Sequence, residues 1–71
     1  MIKLTKREEL IGSLVAKGMS DREISEALGI ALPTVKLHVY SARKKFGVSN
    51  RTKLALKYLE DRDLITFSKA E

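Results

Sequence analysis

Apolar side chains recur three and four positions apart along most of the chain, and no stretch alternates strictly between apolar and polar residues. Spacing of this kind places the apolar side chains on one face of an α-helix. Four such stretches can be distinguished, separated by glycines and by residues that cap helices. The pattern therefore predicts an all-α fold of four helices.

The first two predicted helices each begin at a capping box, in which a Ser or Thr and a Glu three residues later bind each other's backbone N–H groups. The two boxes are Thr5 with Glu8 and Ser20 with Glu23. A glycine follows each helix, as is common after a helix C-terminus. We expect the first helix over about residues 6 to 17 before Gly18, and the second to end at Gly29.

The third and fourth helices are delimited by a proline, a glycine and a capping residue. Pro33 suits the first position of a helix, where its missing N–H would have no partner. We expect the third helix over about residues 33–46, with Gly47 ending it. Either Ser49 or Asn50 can cap the fourth helix.

Length and composition indicate one small folded domain. The chain has 71 residues, of which 44% are hydrophobic, a share typical of folded proteins rather than disordered ones. We expect a single domain over residues 1–71, with a core of about 4–60 and a tail of 61–71. Apolar residues of the tail can fold back onto the core: Leu64, Ile65 and Phe67.

Positive charge is concentrated in the second half of the chain, although the net charge is only +5. The segment between Ala27 and Leu59 carries half of all Lys and Arg and no Asp or Glu. Such a one-sided distribution favours a binding site for a polyanion. A solvated helix face is the common alternative for a run of charge.

The third helix has two distinct faces when its residues are placed at helical spacing. The predicted buried face holds Val35, Val39, Ala42 and Phe46. The opposite face holds Pro33, Lys36, Leu37, Tyr40, Ser41 and Lys44. A face that only meets solvent would more commonly pair Glu with Lys, so this mixture predicts a contact surface.

Two helices joined by a short turn with a glycine, of which the second is basic, form the helix-turn-helix pattern. The second helix of that motif enters the DNA major groove. There Lys36 can donate to guanine O6 and N7, Leu37 can pack on a thymine methyl, and Tyr40 can reach a base edge or a phosphate. Leu37 alone would also fit a single exposed leucine, which is common on protein surfaces.

Four segments resemble the LuxR-type helix-turn-helix domain, and among its members the short free-standing GerE-type regulators. They are LTKREELI (4–11), GMSDREISEALGI (18–30), TVKLHV (34–39) and KKFGVSNR (44–51). The resemblance covers about residues 4–59 without a gap. It implies a four-helix DNA-binding domain of a transcriptional regulator.

The resemblance also implies roles for particular residues. It assigns base contacts to Lys36, Leu37 and Tyr40. It assigns phosphate contacts to Thr34, Lys44, Lys45 and Arg51, and His38 takes either a phosphate or a structural role. Arg51 can equally pair with an acid of a neighbouring helix. The fourth helix would join two copies of the chain, with candidate contacts Leu54, Leu56 and Tyr58, unless the tail covers them.

The chain departs from the family pattern at four positions. Ala31 replaces a serine that caps the third helix, and Ser25 replaces a small apolar residue. Lys53 stands where an acid is frequent. Gly12 replaces a core aliphatic residue inside the first helix, at a cost of about 1 kcal/mol relative to alanine. Either close approach by another helix or sequence drift can explain this glycine.

Several functional classes are disfavoured by composition. The chain has no Cys and one His, and no carboxylate pair falls in a plausible cleft, so we expect neither an enzyme nor a metal or cofactor site. No segment approaches the roughly 18 apolar residues of a membrane span. We therefore expect a cytoplasmic protein without a membrane partner.

These observations favour a sequence-specific DNA-binding regulator that acts as a homodimer on an inverted repeat, with half-site centres about 10 base pairs apart. Its expected partners are double-stranded DNA and a second copy of the chain, with RNA polymerase as a further candidate. One alternative is a sigma-factor region 4, although His38 and the GVSNR segment argue against it. Another is a protein-binding module that inhibits a different regulator.

Overall fold

The structure, a computed structural model, describes residues 1–64 and contains four α-helices in that range. They are α1 (Lys6–Ala16), α2 (Asp21–Leu28), α3 (Leu32–Phe46) and α4 (Arg51–Asp61). No β-strand occurs among these residues, and the prediction of an all-α, four-helix fold is confirmed. α3 begins one residue earlier than expected, so Pro33 follows its first residue.

Local hydrogen bonds fix the starts of α1 and α2 as the sequence predicts. In α1 the Thr5 hydroxyl accepts from the Glu8 N–H at 3.1 Å, and the Glu8 carboxylate accepts from the Thr5 N–H at 2.9 Å. The same reciprocal pair forms between Ser20 and Glu23 at the start of α2. Both capping boxes are therefore present, and each satisfies two backbone donors that the helix leaves free.

The boundaries of α3 and α4 also follow from single residues. Gly47 ends α3 at φ 69°, in the left-handed region that glycine adopts without steric cost. Asn50, rather than Ser49, caps α4 by accepting from the Lys53 N–H at 2.8 Å. Ala31 makes no side-chain hydrogen bond at the start of α3, as its replacement of the family's serine led us to expect.

The core draws on all four helices, and α1 and α3 each pack against all three of the others. The buried face predicted for α3 is confirmed, since all four apolar residues of that face are buried. The buried apolar residues are Ile11, Val15, Ile24, Val35, Val39, Ala42, Phe46, Leu54 and Tyr58. With one face held this firmly, the opposite face of α3 is left free to meet a partner.

Gly12 lies where α4 crosses α1. A Cβ atom at this position would lie 3.1 Å from Cδ1 and 3.2 Å from Cε1 of Tyr58. Real Cβ contacts are rarely so short, and the glycine is itself buried. Of the two explanations open from the sequence, the structure supports close approach by another helix.

Ser25, the second departure from the family pattern, connects α2 with the turn that precedes α3. Its hydroxyl donates to the Ile30 carbonyl at 2.6 Å. This bond supplements the backbone bond from the Ile30 N–H to the Ser25 carbonyl. The polar side chain therefore has a partner within the helix-turn-helix and helps to fix the relative position of its two helices.

The chain beyond residue 60 is more closely tied to the core than a tail beginning at 61 implies. Asp61 ends α4 and accepts from the Ile2 N–H at 2.8 Å, which joins the N-terminal segment to α4. Leu64 is exposed and does not fold back onto the core. The expected packing of Ile65 and Phe67 falls on residues outside the described range.

Candidate nucleic-acid interface

The exposed face of α3 presents Lys36, Leu37 and Tyr40, which we call the recognition face. All three side chains are exposed, Leu37 to 61% and Tyr40 to 51%. Leu37 and Tyr40 are one helical turn apart and therefore adjacent on the surface. The structure thus brings the three predicted base-contacting residues together on one face, opposite the core.

Two cations of the following turn approach the ring of Tyr40. The Arg43 guanidinium carbon and the Lys44 ammonium nitrogen are each 5.8 Å from the centre of its ring. Cations at such distances are attracted to the electron-rich ring face. α3 carries no acidic residue, so the surface around the phenol is positively charged and suited to a polyanion.

The five predicted phosphate contacts divide into two groups. Thr34 lies exposed in the first turn of α3, His38 is half-buried and Lys44 is exposed. The remaining two, Lys45 and Arg51, already hold carboxylates of other helices. The first group therefore borders the recognition face with polar groups that have not been taken up by ion pairs in the described part of the chain.

Lys45 joins the last turn of α3 to the first turn of α1. Its ammonium group lies 2.7 Å from Oε1 of Glu8, a carboxylate that is almost fully buried. Burial opposes ionisation of Glu8, but hydrogen bonds from Lys45 and Thr5 outweigh it and lower its pKa below the ordinary 4.5. Glu8 therefore stays charged at neutral pH and holds Lys45 in place.

Arg51 at the start of α4 is held by α2, the first helix of the helix-turn-helix, and by the turn that precedes it. Its guanidinium donates to Asp21 Oδ1 and to the Met19 carbonyl, each at 2.5 Å. Of the two roles left open from the sequence, the structure shows the pairing with an acid of a neighbouring helix. The side chain is half-buried and connects α4 to the N-terminus of α2.

The three predicted dimer contacts on α4 differ in their solvent exposure. Leu54 and Tyr58 are buried in the core of the single chain, which corrects their assignment to a surface. They face inward because α4 packs against both α1 and α3. Leu56 is 42% exposed and lies between two shallow grooves, one lined by Val48 and Lys53 and one by Val15 and Ala55.

Arg62 is a structural residue that the sequence did not reveal, because it lay in the predicted tail. Its guanidinium binds the carboxylates of Glu9 and Asp61 and lies 5.0 Å from the centre of the Tyr58 ring. Hydrogen bonds from Arg62 and Tyr58 lower the pKa of Glu9, while burial and the Glu9 carboxylate raise that of Tyr58. The spacing of four residues would have indicated the contact between Tyr58 and Arg62, because residues i and i+4 are neighbours on a helix surface.

The described residues show little sign of other kinds of site. Within residues 1–64, no group of three or more His, Cys, Asp or Glu is placed to hold a metal ion. None of the four helices is long and apolar enough to cross a membrane. The recognition face of α3 is therefore the surface whose chemistry most clearly indicates a partner.

Comparison with known proteins gives a family for this arrangement. The profile of bacterial regulatory proteins of the luxR family matches residues 3–58, which include all of α1, α2 and α3 and most of α4. The matched range contains every residue assigned to the recognition face and its borders. The match agrees with the four segments that resemble this family in the sequence.

Three similar regulators show the extent of the relationship. The chain is 45% identical over 53 residues to the transcriptional regulatory protein LiaR of Bacillus subtilis, which is 75% of this chain and 25% of LiaR. It is 42% identical over 52 residues to the transcriptional regulatory protein UhpA of Escherichia coli, 73% of this chain and 26% of UhpA. It is 44% identical over 53 residues to the response regulator protein VraR of Staphylococcus aureus, 75% of this chain and 25% of VraR.

The similarity thus spans most of this chain but about a quarter of each of these regulators. Its extent matches one helix-turn-helix domain. Of the two helix-turn-helix families considered from the sequence, it supports the LuxR-type domain and not sigma-factor region 4. The chain belongs to the luxR family of bacterial regulatory proteins.

Proposed function

We propose that this chain binds double-stranded DNA sequence-specifically and acts in transcription regulation, with α3 in the major groove. The observation that carries the proposal is the recognition face. It places exposed Lys36, Leu37 and Tyr40 side by side on an acid-free helix whose other face is fixed in the core. A helix presented in this way fits the width of the major groove.

Each of the three side chains offers a different contact to a base pair. Lys36 can donate hydrogen bonds to the O6 and N7 acceptors of guanine. Leu37 can cover the methyl group of thymine, and Tyr40 can hydrogen-bond to a base edge or a phosphate. The half-site should therefore contain both a guanine and a thymine within the reach of neighbouring turns of α3.

Phosphate contacts would hold the helix in register without reading the sequence. Thr34, His38 and Lys44 are the primary candidates because they border the recognition face. Lys45 and Arg51 are secondary candidates, since each would have to release a carboxylate before it could bind a phosphate at full strength. Their first role is then to hold α1, α2 and α4 around α3.

A homodimer on an inverted repeat would place one α3 in each of two half-sites, with centres about 10 base pairs apart. Leu56 is the α4 residue best placed to mediate it, because it is exposed and flanked by shallow grooves. RNA polymerase is a further candidate partner for a regulator bound beside a promoter. A module that only inhibits another protein would need no selectivity for DNA sequence.

The function is tested by comparing Lys36→Ala with its control Lys44→Ala on a selected site and on random duplex DNA. Lys36→Ala should cost about 1 to 3 kcal/mol on the selected site and relax selectivity at one base pair. Lys44→Ala should weaken binding to all sequences alike and reduce the salt dependence of the affinity. Equal losses on both DNAs for both variants would contradict these roles.

A further inference from the structure

Arg43 lies in the last turn of α3, beside the recognition face but not on it. Its side chain is half-buried, and Nη2 donates to the Ser49 carbonyl at 3.0 Å. Its Nε atom is shielded from solvent and has no hydrogen-bond partner among the described residues. The guanidinium is thus fixed against the turn between α3 and α4, and its orientation leaves one of its own donors unsatisfied.

A buried donor without a partner costs about 1 to 3 kcal/mol. The Ser49 hydrogen bond and the ring of Tyr40, whose centre lies 5.8 Å from the guanidinium carbon, are the contacts that offset part of this cost. Lys44 approaches the same ring at 5.8 Å, but its side chain is exposed and makes no hydrogen bond to another described residue. Of the two cations at the ring, Arg43 is therefore the anchored one.

Tyr40 gains a preferred orientation from this contact. An exposed tyrosine on a helix surface can choose between side-chain rotamers, and 51% of this residue is exposed. A cation held over the ring face favours the rotamer that keeps the contact. The phenol oxygen would then meet DNA in a position that is set before binding, which lowers the entropy lost in forming a base contact.

We propose that Arg43 is a positioning residue that orients Tyr40 for base recognition and connects it to the turn between α3 and α4. The inference rests on the proposed DNA-binding function and goes beyond it, because it assigns sequence selectivity to a residue that does not touch the bases. Arg43 differs from a free surface cation in that its Nη2 already donates to the Ser49 carbonyl and its side chain is half-buried.

The substitution Arg43→Lys distinguishes a positioning role from a phosphate contact, because it keeps the positive charge. A lysine lacks the planar group that can stack on an aromatic ring while binding a carbonyl. It also lacks the unsatisfied Nε donor, so the fold should tolerate it, and thermal unfolding provides the check. Affinity is measured by titration on a selected site and on random duplex DNA for Arg43→Lys, Tyr40→Ala and the double variant.

We expect Arg43→Lys to weaken binding to the selected site by about two- to fivefold. Binding to random DNA and the salt dependence should stay unchanged, because the total charge is the same. In the Tyr40→Ala background Arg43→Lys should have no further effect, since the ring that Arg43 positions is then absent.

Three results would overturn the inference alone. They are a loss of similar size on random DNA, the same loss with Tyr40 already replaced, and no effect of Arg43→Lys on a chain that discriminates between DNA sequences. Failure of the unmodified chain to discriminate at all would overturn the proposed function together with this inference.

Discussion

At the scale of single residues, Gly12 lies in the contact between α1 and α4, against the ring of Tyr58. The Tyr58 ring occupies the space that a side chain at Gly12 would need. That ring has little freedom to move, because its hydroxyl donates to Glu9 at 2.6 Å and Arg62 lies over its face. Glycine at this position therefore lowers the helix propensity of α1 but allows a close contact between α1 and α4.

We predict that Gly12→Ala lowers the free energy of unfolding, although alanine is the better helix former. The gain in propensity is about 1 kcal/mol, while overpacking costs about 1 to 3 kcal/mol, so a net loss of about 1 kcal/mol is expected. Denaturant unfolding measures it. In a Tyr58→Leu background the substitution should become stabilising, and a stabilising effect with Tyr58 intact would contradict the close contact.

The sequence showed a glycine of low helix propensity inside the first helix, but it could not show why the glycine is there. Its partner, Tyr58, lies on another helix and was itself assigned to a dimer surface. The same limit applies to Leu54, because helical spacing on α4 alone does not show that the core lies on two sides of it. Burial against a distant helix is a property of the packed fold.

At the scale of elements, the bounds and faces of the helices could be predicted, but their cross-links could not. Capping boxes, Pro33 and Gly47 act within a few residues, and the two faces of α3 follow from its own periodicity. By contrast, Lys45 and Glu8 are 37 positions apart, and Arg62 and Glu9 are 53 apart. Nothing in the local pattern selects these acids as partners.

The link from Lys45 to Glu8 makes stability depend on pH. Because the pKa of Glu8 is lowered in the folded state, its contribution is present above about pH 4.5 and is lost as the pH falls through the folded pKa. Lys45→Met should lower the free energy of unfolding at pH 7 by about 1 to 3 kcal/mol, because it removes the partner of a buried charge. It should also make the loss of stability in acid shallower.

Lys44→Met is the matched control, since Lys44 is the neighbouring residue and is exposed. Its effect on stability should be within about 0.5 kcal/mol. Chemical unfolding from pH 3 to pH 7 compares the two variants on the same scale. Equal stability of the two at neutral pH would show that the ion pair with Glu8 does not hold α3 against α1.

At the scale of the whole molecule, the face proposed to read DNA and the residue proposed to join two copies lie on different helices. α3 presents the basic recognition face, while Leu56 is the exposed leucine of α4 in the described residues. The two helices pack on each other, so a contact between two copies at α4 would fix the relative position of the two recognition faces. Affinity for a double site would then exceed that for a single one.

Replacing Leu56 tests this arrangement. Leu56→Asp should weaken binding to DNA with two half-sites by about 2 kcal/mol or more, because a charge would be buried between the copies. Binding to a single half-site should be unchanged. Leu10→Asp on α1 is the control, since Leu10 is equally exposed at 42%. Titration of both DNAs makes the comparison, and identical behaviour of the two variants would exclude α4 as the contact.

Selection of bound sites from random duplex DNA at modest ionic strength tests the central claim most directly, because it reports sequence preference, symmetry and spacing together. We predict enrichment of an inverted repeat whose half-sites contain guanine and thymine and whose centres are about 10 base pairs apart. Recovery of sequences without any common motif would contradict the assignment of α3 as a helix that reads DNA.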